Sequence, residues 1–134
     1  MKLLLDTNIF LEILLEQKNE REARELLGRW EEHALFVTDF SVHSVGLKLF
    51  ERGKHDDFRR FAKEVLLDQI AFMIQLGCSD MKEVADNAER LGLDFDDAYQ
   101  YAAAEQHGLT IVSYDPDFDS TPKGRKTPSE ILAL

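Results

Sequence analysis

Apolar and polar positions along the chain follow two alternating patterns. Short unbroken apolar runs, the mark of strands buried on both faces, occur as "KLLL" at 2–5, "ALFVTD" at 34–39, "IAFMIQ" at 70–75 and "LTIVSYD" at 109–115. Helical periods fill the gaps. "NIFLEILLEQ" lengthens into a helix that Thr7 or Asn8 is placed to cap. Ala23, Leu26, Leu27, Trp30 and Ala34 recur at helical spacing over 20–34, opposite a face of Glu and Arg. Ser41 opens a further helix carrying Val42, Val45 and Leu49 toward Gly53, and Phe58, Phe61, Ala62, Val65 and Leu66 mark another. Asp80 and Glu83 have capping-box spacing ahead of Met81, Val84, Ala85, Ala88 and Leu91. "DFDDAYQYAAAEQHG" is an Ala-rich helix stopped by Gly108.

Alternating strands and helices predict an α/β fold of three layers, with a central parallel sheet of four to five strands flanked by helices. The first strand is expected in the middle, between the second and the fourth. With 134 residues, no repeat and no Pro-, Gly- or Ser-rich tract, residues 1–134 are expected to form a single domain.

Composition narrows the function classes. A hydrophobic share of 44% supports one real core, and a net charge of -10 argues against broad attraction to nucleic acid or anionic lipid. A polyanion must therefore be met locally. Two basic clusters, "ERGKHDDFRR" at 51–60 and "PKGRK" at 122–126, are either solvated surface or the source of substrate-binding residues such as Arg52, Lys54 and Arg125. The apolar runs are far below the roughly 20 residues of a membrane span, and the N-terminus lacks a signal-peptide layout. A cytoplasmic protein without membrane contact is expected. The single cysteine, Cys78, has no partner for a disulfide or a multi-cysteine zinc site and is expected to be a buried spectator.

The strands end in acids. Asp6 follows the first, Asp39 the second, and Asp115 with Asp117 the fourth, while Asp96 and Asp97 open the helix before the fourth strand. In a parallel sheet all of these reach the carboxyl edge, where such folds bind ligands. Taken singly, each acid is equally a helix cap, a dipole partner or a turn residue. Together they repel unless a cation neutralises them, and their hard oxygens suit Mg²⁺ or Mn²⁺. Such an ion would hold and polarise a phosphodiester and activate water.

The stretches "LLLDTNIF", "LDFDDAYQYAAAEQHG" and "TIVSYDPDFD", in this order, resemble the PIN domain as found in VapC-type toxin ribonucleases. The resemblance covers roughly residues 1–120. It implies a PIN-like fold, Mg²⁺- or Mn²⁺-dependent endoribonuclease activity on an RNA substrate, a cognate antitoxin as partner and a possible homodimer. By position it implies that Asp6, Asp97 and Asp115 hold metal and carry catalysis, with Asp117 beside them. Thr7, Asn8, Asp96 and Ser113 would support them, and Ser113 matches a hydroxyl ahead of the last acid. Tyr114 is placed to stack on a base, whereas Tyr99 and Tyr101 are expected to pack. His43 is a phosphate contact or a capping residue. One departure stands out. The family's helix after the second strand carries a Glu about six residues beyond a serine like Ser41, where this chain has Gly46 or Leu47. Asp39, Glu51 and Glu12 are the candidate substitutes.

Two alternatives remain open on sequence grounds. One is a noncatalytic PIN-like module that binds metal and a protein partner. The other is a phospho-acceptor receiver domain, which would need its acceptor after the third strand, where "IQLGCSD" offers only Asp80.

Overall fold

Leu3, Leu4 and Leu5 have no exposed surface, so β1 (Lys2–Leu5) must be paired on both edges and covered on both faces. The computed structural model, which describes residues 1–134, meets both demands. β1 lies between β2 (Ala34–Thr38) and β4 (Thr110–Val112), and β3 (Ala71–Ile74) extends the sheet beyond β2 in the order β3-β2-β1-β4. Every pairing is parallel; Leu3 sits opposite Leu35 and Leu4 opposite Ile111. A lone parallel bridge between Val112 and Lys126 adds the rudiment of a fifth strand.

Alternate side chains of a strand face opposite layers. Leu3 and Leu5 pack with Ile9, Phe10, Leu26, Val45 and Phe61 under α1 (Thr7–Leu14), α2 (Glu20–Gly28), α3 (Asp39–Glu51) and α4 (His55–Phe61). Leu4 packs on the other side with Val84, Tyr99, Ala103 and Ile111, beneath α5 (Met81–Leu91) and α6 (Phe95–His107). A short α7 (Pro128–Leu132) packs against α2. α6 is enclosed because Ala102, Ala103 and Ala104 allow close approach, and it stops at Gly108, whose φ of 66° is costly for any residue with a Cβ. None of the helices is long and apolar enough to cross a membrane.

Several local expectations are corrected. The helix read over 20–34 ends at Gly28; Trp30 falls in a 3₁₀ turn, half exposed, and Ala34 already pairs with Lys2. Strand pairing outcompetes one more helical turn there, because the sheet ladder satisfies the backbone and buries Leu35. The caps also shift one element back. Asp6, not Thr7 or Asn8, accepts the Thr7 N–H at 2.7 Å, and Thr38, not Ser41, caps α3 by accepting the Ser41 N–H at 3.1 Å. Asp80 accepts from the Gly77 N–H at 2.8 Å and so closes the preceding turn instead of capping α5. Cys78 lies in that turn and is exposed, not buried.

Tyr99 and Tyr101 are buried, as their place on an Ala-rich helix implies. The Tyr99 hydroxyl accepts from the Leu76 N–H at 2.9 Å and donates to Asp39 at 2.7 Å, tying the exit of β3 to the start of α3. Tyr99→Phe removes both bonds without changing the packing. It is expected to cost about 1–3 kcal/mol in urea unfolding; an unchanged midpoint would mean that these bonds hold nothing together.

Candidate acidic site

Two strand ends and one helix start meet at the carboxyl edge of the sheet. β1 delivers Asp6, which is buried. Its Oδ1 accepts from the Thr7 N–H at 2.7 Å and the Gln100 amide at 3.0 Å. Its Oδ2 accepts from the Ser113 hydroxyl at 2.7 Å and, more loosely, from the Asn8 amide at 3.4 Å. Ser113, beyond β4, has no exposed surface and is a hub. Besides donating to Asp6, its Oγ accepts from Asn8 at 3.1 Å and from the Asp115 N–H at 2.9 Å. Asp115 in turn accepts the Asp117 N–H at 2.9 Å. The chain therefore turns tightly enough to present both carboxylates on one side.

α6 delivers the remaining acid. Asp94 caps it by accepting the Asp97 N–H at 2.9 Å, which fixes the first turn and aims Asp97 across the edge. Asp97, Asp115 and Asp117 each offer a carboxylate oxygen within 4.8 Å of the others. Burial, then the charges of Asp94, Asp115, Asp6 and Asp117, push the Asp97 carboxyl up to about 8. Asp6 is also raised, by burial first and against the pull of Ser113, Gln100 and Thr7.

No Lys or Arg forms an ion pair with Asp6, Asp94, Asp96, Asp97, Asp115 or Asp117. Oxygen donors from three carboxylates, mutually repelling and without a basic side chain between them, fit a small hard cation that keeps several waters. Asp6 stands beside this group of three and outside it, its two oxygens taken by Thr7, Gln100, Ser113 and Asn8.

Other residues singled out from sequence lie elsewhere or are otherwise engaged. Asp96 is exposed beside Asp97. Arg52 and Lys54 follow the far end of α3, roughly 20 Å from its first residue at 1.5 Å per residue; they do not approach the acids. Arg125 pairs with Asp119 at 3.0 Å and donates to the Ser113 carbonyl at 3.0 Å, so it braces the loop. The Tyr114 hydroxyl donates to Glu22 at 2.8 Å, which holds its ring against the α1–α2 layer and not free for stacking. His43 is exposed on α3.

None of the three substitutes for the absent Glu takes its place. Glu12 accepts from the Asn19 N–H and amide, both at 3.1 Å. Glu51 lies exposed at the far end of α3 beside Lys48, and Asp39 is engaged by Tyr99. Because α3 is capped by Thr38, six residues on from the true cap is Ser44, one turn beyond the buried Ser41 on the same helix face. Gly46 instead faces the Phe58 ring, and Leu47 is exposed.

Gln100 is the contributor that motif reading missed. It stands one turn after Asp97, a polar side chain inside a run of buried Ala and Tyr, and that break in pattern was its only signal.

The family model described as PIN domain matches residues 3–124. A search of curated protein sequences gives no match. Among solved structures, a toxin-antitoxin complex from Klebsiella pneumoniae is similar with a TM-score of 0.71 at 20% identity, covering 93% of this chain and 96% of that one. VapC20 of Mycobacterium tuberculosis, described as a sarcin-ricin loop cleaving toxin, gives a TM-score of 0.75 at 15% identity over 90% and 95% of the two chains. VapBC2 of Rickettsia felis, bound to a DNA fragment from its promoter, gives 0.68 at 14% identity over 95% and 97%.

Proposed function

Because the chain belongs to the PIN domain family, we propose that it is a Mg²⁺- or Mn²⁺-dependent endoribonuclease and the toxin of a toxin-antitoxin pair, built as one unit over residues 1–134. The observation that carries this is the meeting of Asp97, Asp115 and Asp117 within 4.8 Å, beside Asp6 and with no basic partner. The bound ion would neutralise the cluster, polarise the scissile phosphodiester and make water a better nucleophile at neutral pH.

The chain's own part is placement. Thr7, Gln100 and Ser113 fix the Asp6 carboxylate, and Asp94 fixes the helix turn that presents Asp97. Ser113 and Asp115 shape the loop that presents Asp117. Preset carboxylates of this kind need no rearrangement when charge develops on the phosphate. An antitoxin partner accords with the toxin-antitoxin complexes that share the fold; a cytoplasmic location and a homodimer belong to the same proposal.

The lack of an acid on the inner face of α3 favours a second reading, a noncatalytic module that binds metal and a protein. One assay separates the two. RNA incubated with the protein in Mg²⁺ or Mn²⁺ is expected to be cut, EDTA is expected to stop the reaction, and Asp6→Asn is expected to slow it by about 100-fold or more, since even outer contacts of metal ligands are worth about 10–100-fold. Equal cleavage by parent and variant would sink the nuclease mechanism.

A further inference from the structure

We propose that the Gln100 side-chain amide stands where a second cation would have to sit, so that the chain binds a single divalent ion. The inference rests on the metal-dependent reading above and concerns only how many ions the site takes.

The Gln100 side chain is buried and wholly used. Its Nε2 donates to Asp6 Oδ1 at 3.0 Å and to Ser41 Oγ at 2.8 Å, and its Oε1 accepts from the Thr38 hydroxyl at 2.8 Å. The amide cannot be turned over, because Oε1 would then face the carboxylate. Ser41 Oγ also accepts from the Thr7 hydroxyl at 3.0 Å. The space between Asp6 and the first turn of α3 is therefore closed by neutral groups, with the positive end of an amide against the carboxylate.

A second ion on this side would need two things: oxygen ligands at about 2.1 Å on both flanks, and room between them. Neither is present. On the α3 flank, Ser41 and Ser44 stand on the inner face with no acid among them, and the gap holds the Gln100 amide. The two features explain each other. Without an acid on the inner face of α3, the side of Asp6 turned to that helix carries less negative charge, and a dipole suffices where a full cation would otherwise be required. Gln100 is thus a positioning residue: it holds Oδ1 and leaves Oδ2 toward Ser113 and the other acids.

The test counts ions on the full chain without RNA, by calorimetric titration with Mn²⁺ and by the electron paramagnetic resonance of bound Mn²⁺. The parent is expected to bind one. Ser44→Glu alone is expected to stay at one, because the amide still fills the gap. Gln100→Ala alone opens the gap but supplies no acid from α3, and is also expected to stay at one. The pair Ser44→Glu with Gln100→Ala opens the gap and supplies the acid from α3, and is expected to bind two; should it unfold, Ser44→Asp with Gln100→Ala tests the same point. Two ions on the parent or on either single variant would overturn the proposal, as would a folded paired variant that stays at one. A parent that binds none would instead remove the metal-dependent reading itself, an outcome distinct from a wrong count.

Discussion

Asp97→Asn is expected to make the metal-free protein more heat-stable, by about 3 °C, while shrinking the stabilisation that Mg²⁺ gives the parent. Two effects compete at this position. Removing the charge relieves burial and the repulsion from Asp94, Asp115, Asp6 and Asp117 that together raise the Asp97 carboxyl to about 8. Each pKa unit corresponds to about 1.4 kcal/mol, but solvent at the cleft screens much of it, leaving a relief of about 1–2 kcal/mol. Against this, an acid in the first turn of α6 gains about 0.3–1 kcal/mol from the helix dipole. Repulsion wins, and for a chain of this size each kcal/mol is worth about 4 °C.

The sign with pH follows from proton linkage. The folded state holds a proton on Asp97 that the unfolded chain, with a pKa near 3.9, has released, so the metal-free parent should lose stability as pH rises from about 4 to 8. The Asn variant should show a flatter profile over the same window. With Mg²⁺ the variant's advantage shrinks, because stabilisation by a ligand grows with its concentration relative to the dissociation constant, and the variant binds more weakly. Thermal melts from pH 4 to 8, in EDTA and in millimolar Mg²⁺, read both halves. If Asp97 serves only the helix dipole, the variant will be less stable in EDTA and will respond to Mg²⁺ like the parent.

Ser113→Ala should be the most damaging change that leaves every charge in place. The hydroxyl makes three contacts without any exposed surface: to Asp6 at 2.7 Å, from Asn8 at 3.1 Å and from the Asp115 N–H at 2.9 Å. Alanine leaves a buried carboxylate oxygen short of its best donor and orphans a backbone N–H, which predicts a loss of about 2–4 kcal/mol in urea unfolding. It also frees Asp6 and Asp115 to drift apart, so RNA cleavage should fall about 10–100-fold, the usual cost of losing an outer contact to a metal ligand. A variant that unfolds earlier yet cuts at the parent rate would show that Ser113 holds the fold and not the acids.

The parallel sheet and the central place of β1 were legible from four apolar runs and the helical periods between them, because burial on both faces leaves no other arrangement for "KLLL". That Asp97, Asp115 and Asp117 meet, with Asp6 beside them, followed from the strand ends together with the start of the helix before β4. What escaped was set by contacts between distant residues. Arg52 and Lys54 looked like substrate contacts because their charge was weighed without the helix before them, although its run from Ser41 toward Gly53 already carries them away from the acids. Tyr114 looked free because its partner Glu22 lies 92 positions away. Gln100 was invisible for the same reason: it matters through Asp6, Thr38 and Ser41, each at least 59 positions distant. The end of α2 was misjudged because helical spacing ran on through Trp30 and Ala34, and only the pairing of Ala34 with Lys2 decides between turn and strand.

The strand order also sets a sequence of events in time. β1 and β2 pair across about 30 positions and are made early, whereas β4, the other neighbour of β1, arrives more than 100 positions after it. A ribosome adding about 5–20 residues per second needs several seconds to cover that interval. Throughout it, Asp6 exists without Ser113 or Asp115, and the free edge of β1 has no partner. The proposed nuclease is therefore silent for most of its own synthesis, and its activity begins only when the last strand docks. A protein able to cover the nascent sheet in that interval would meet it before it can cut anything.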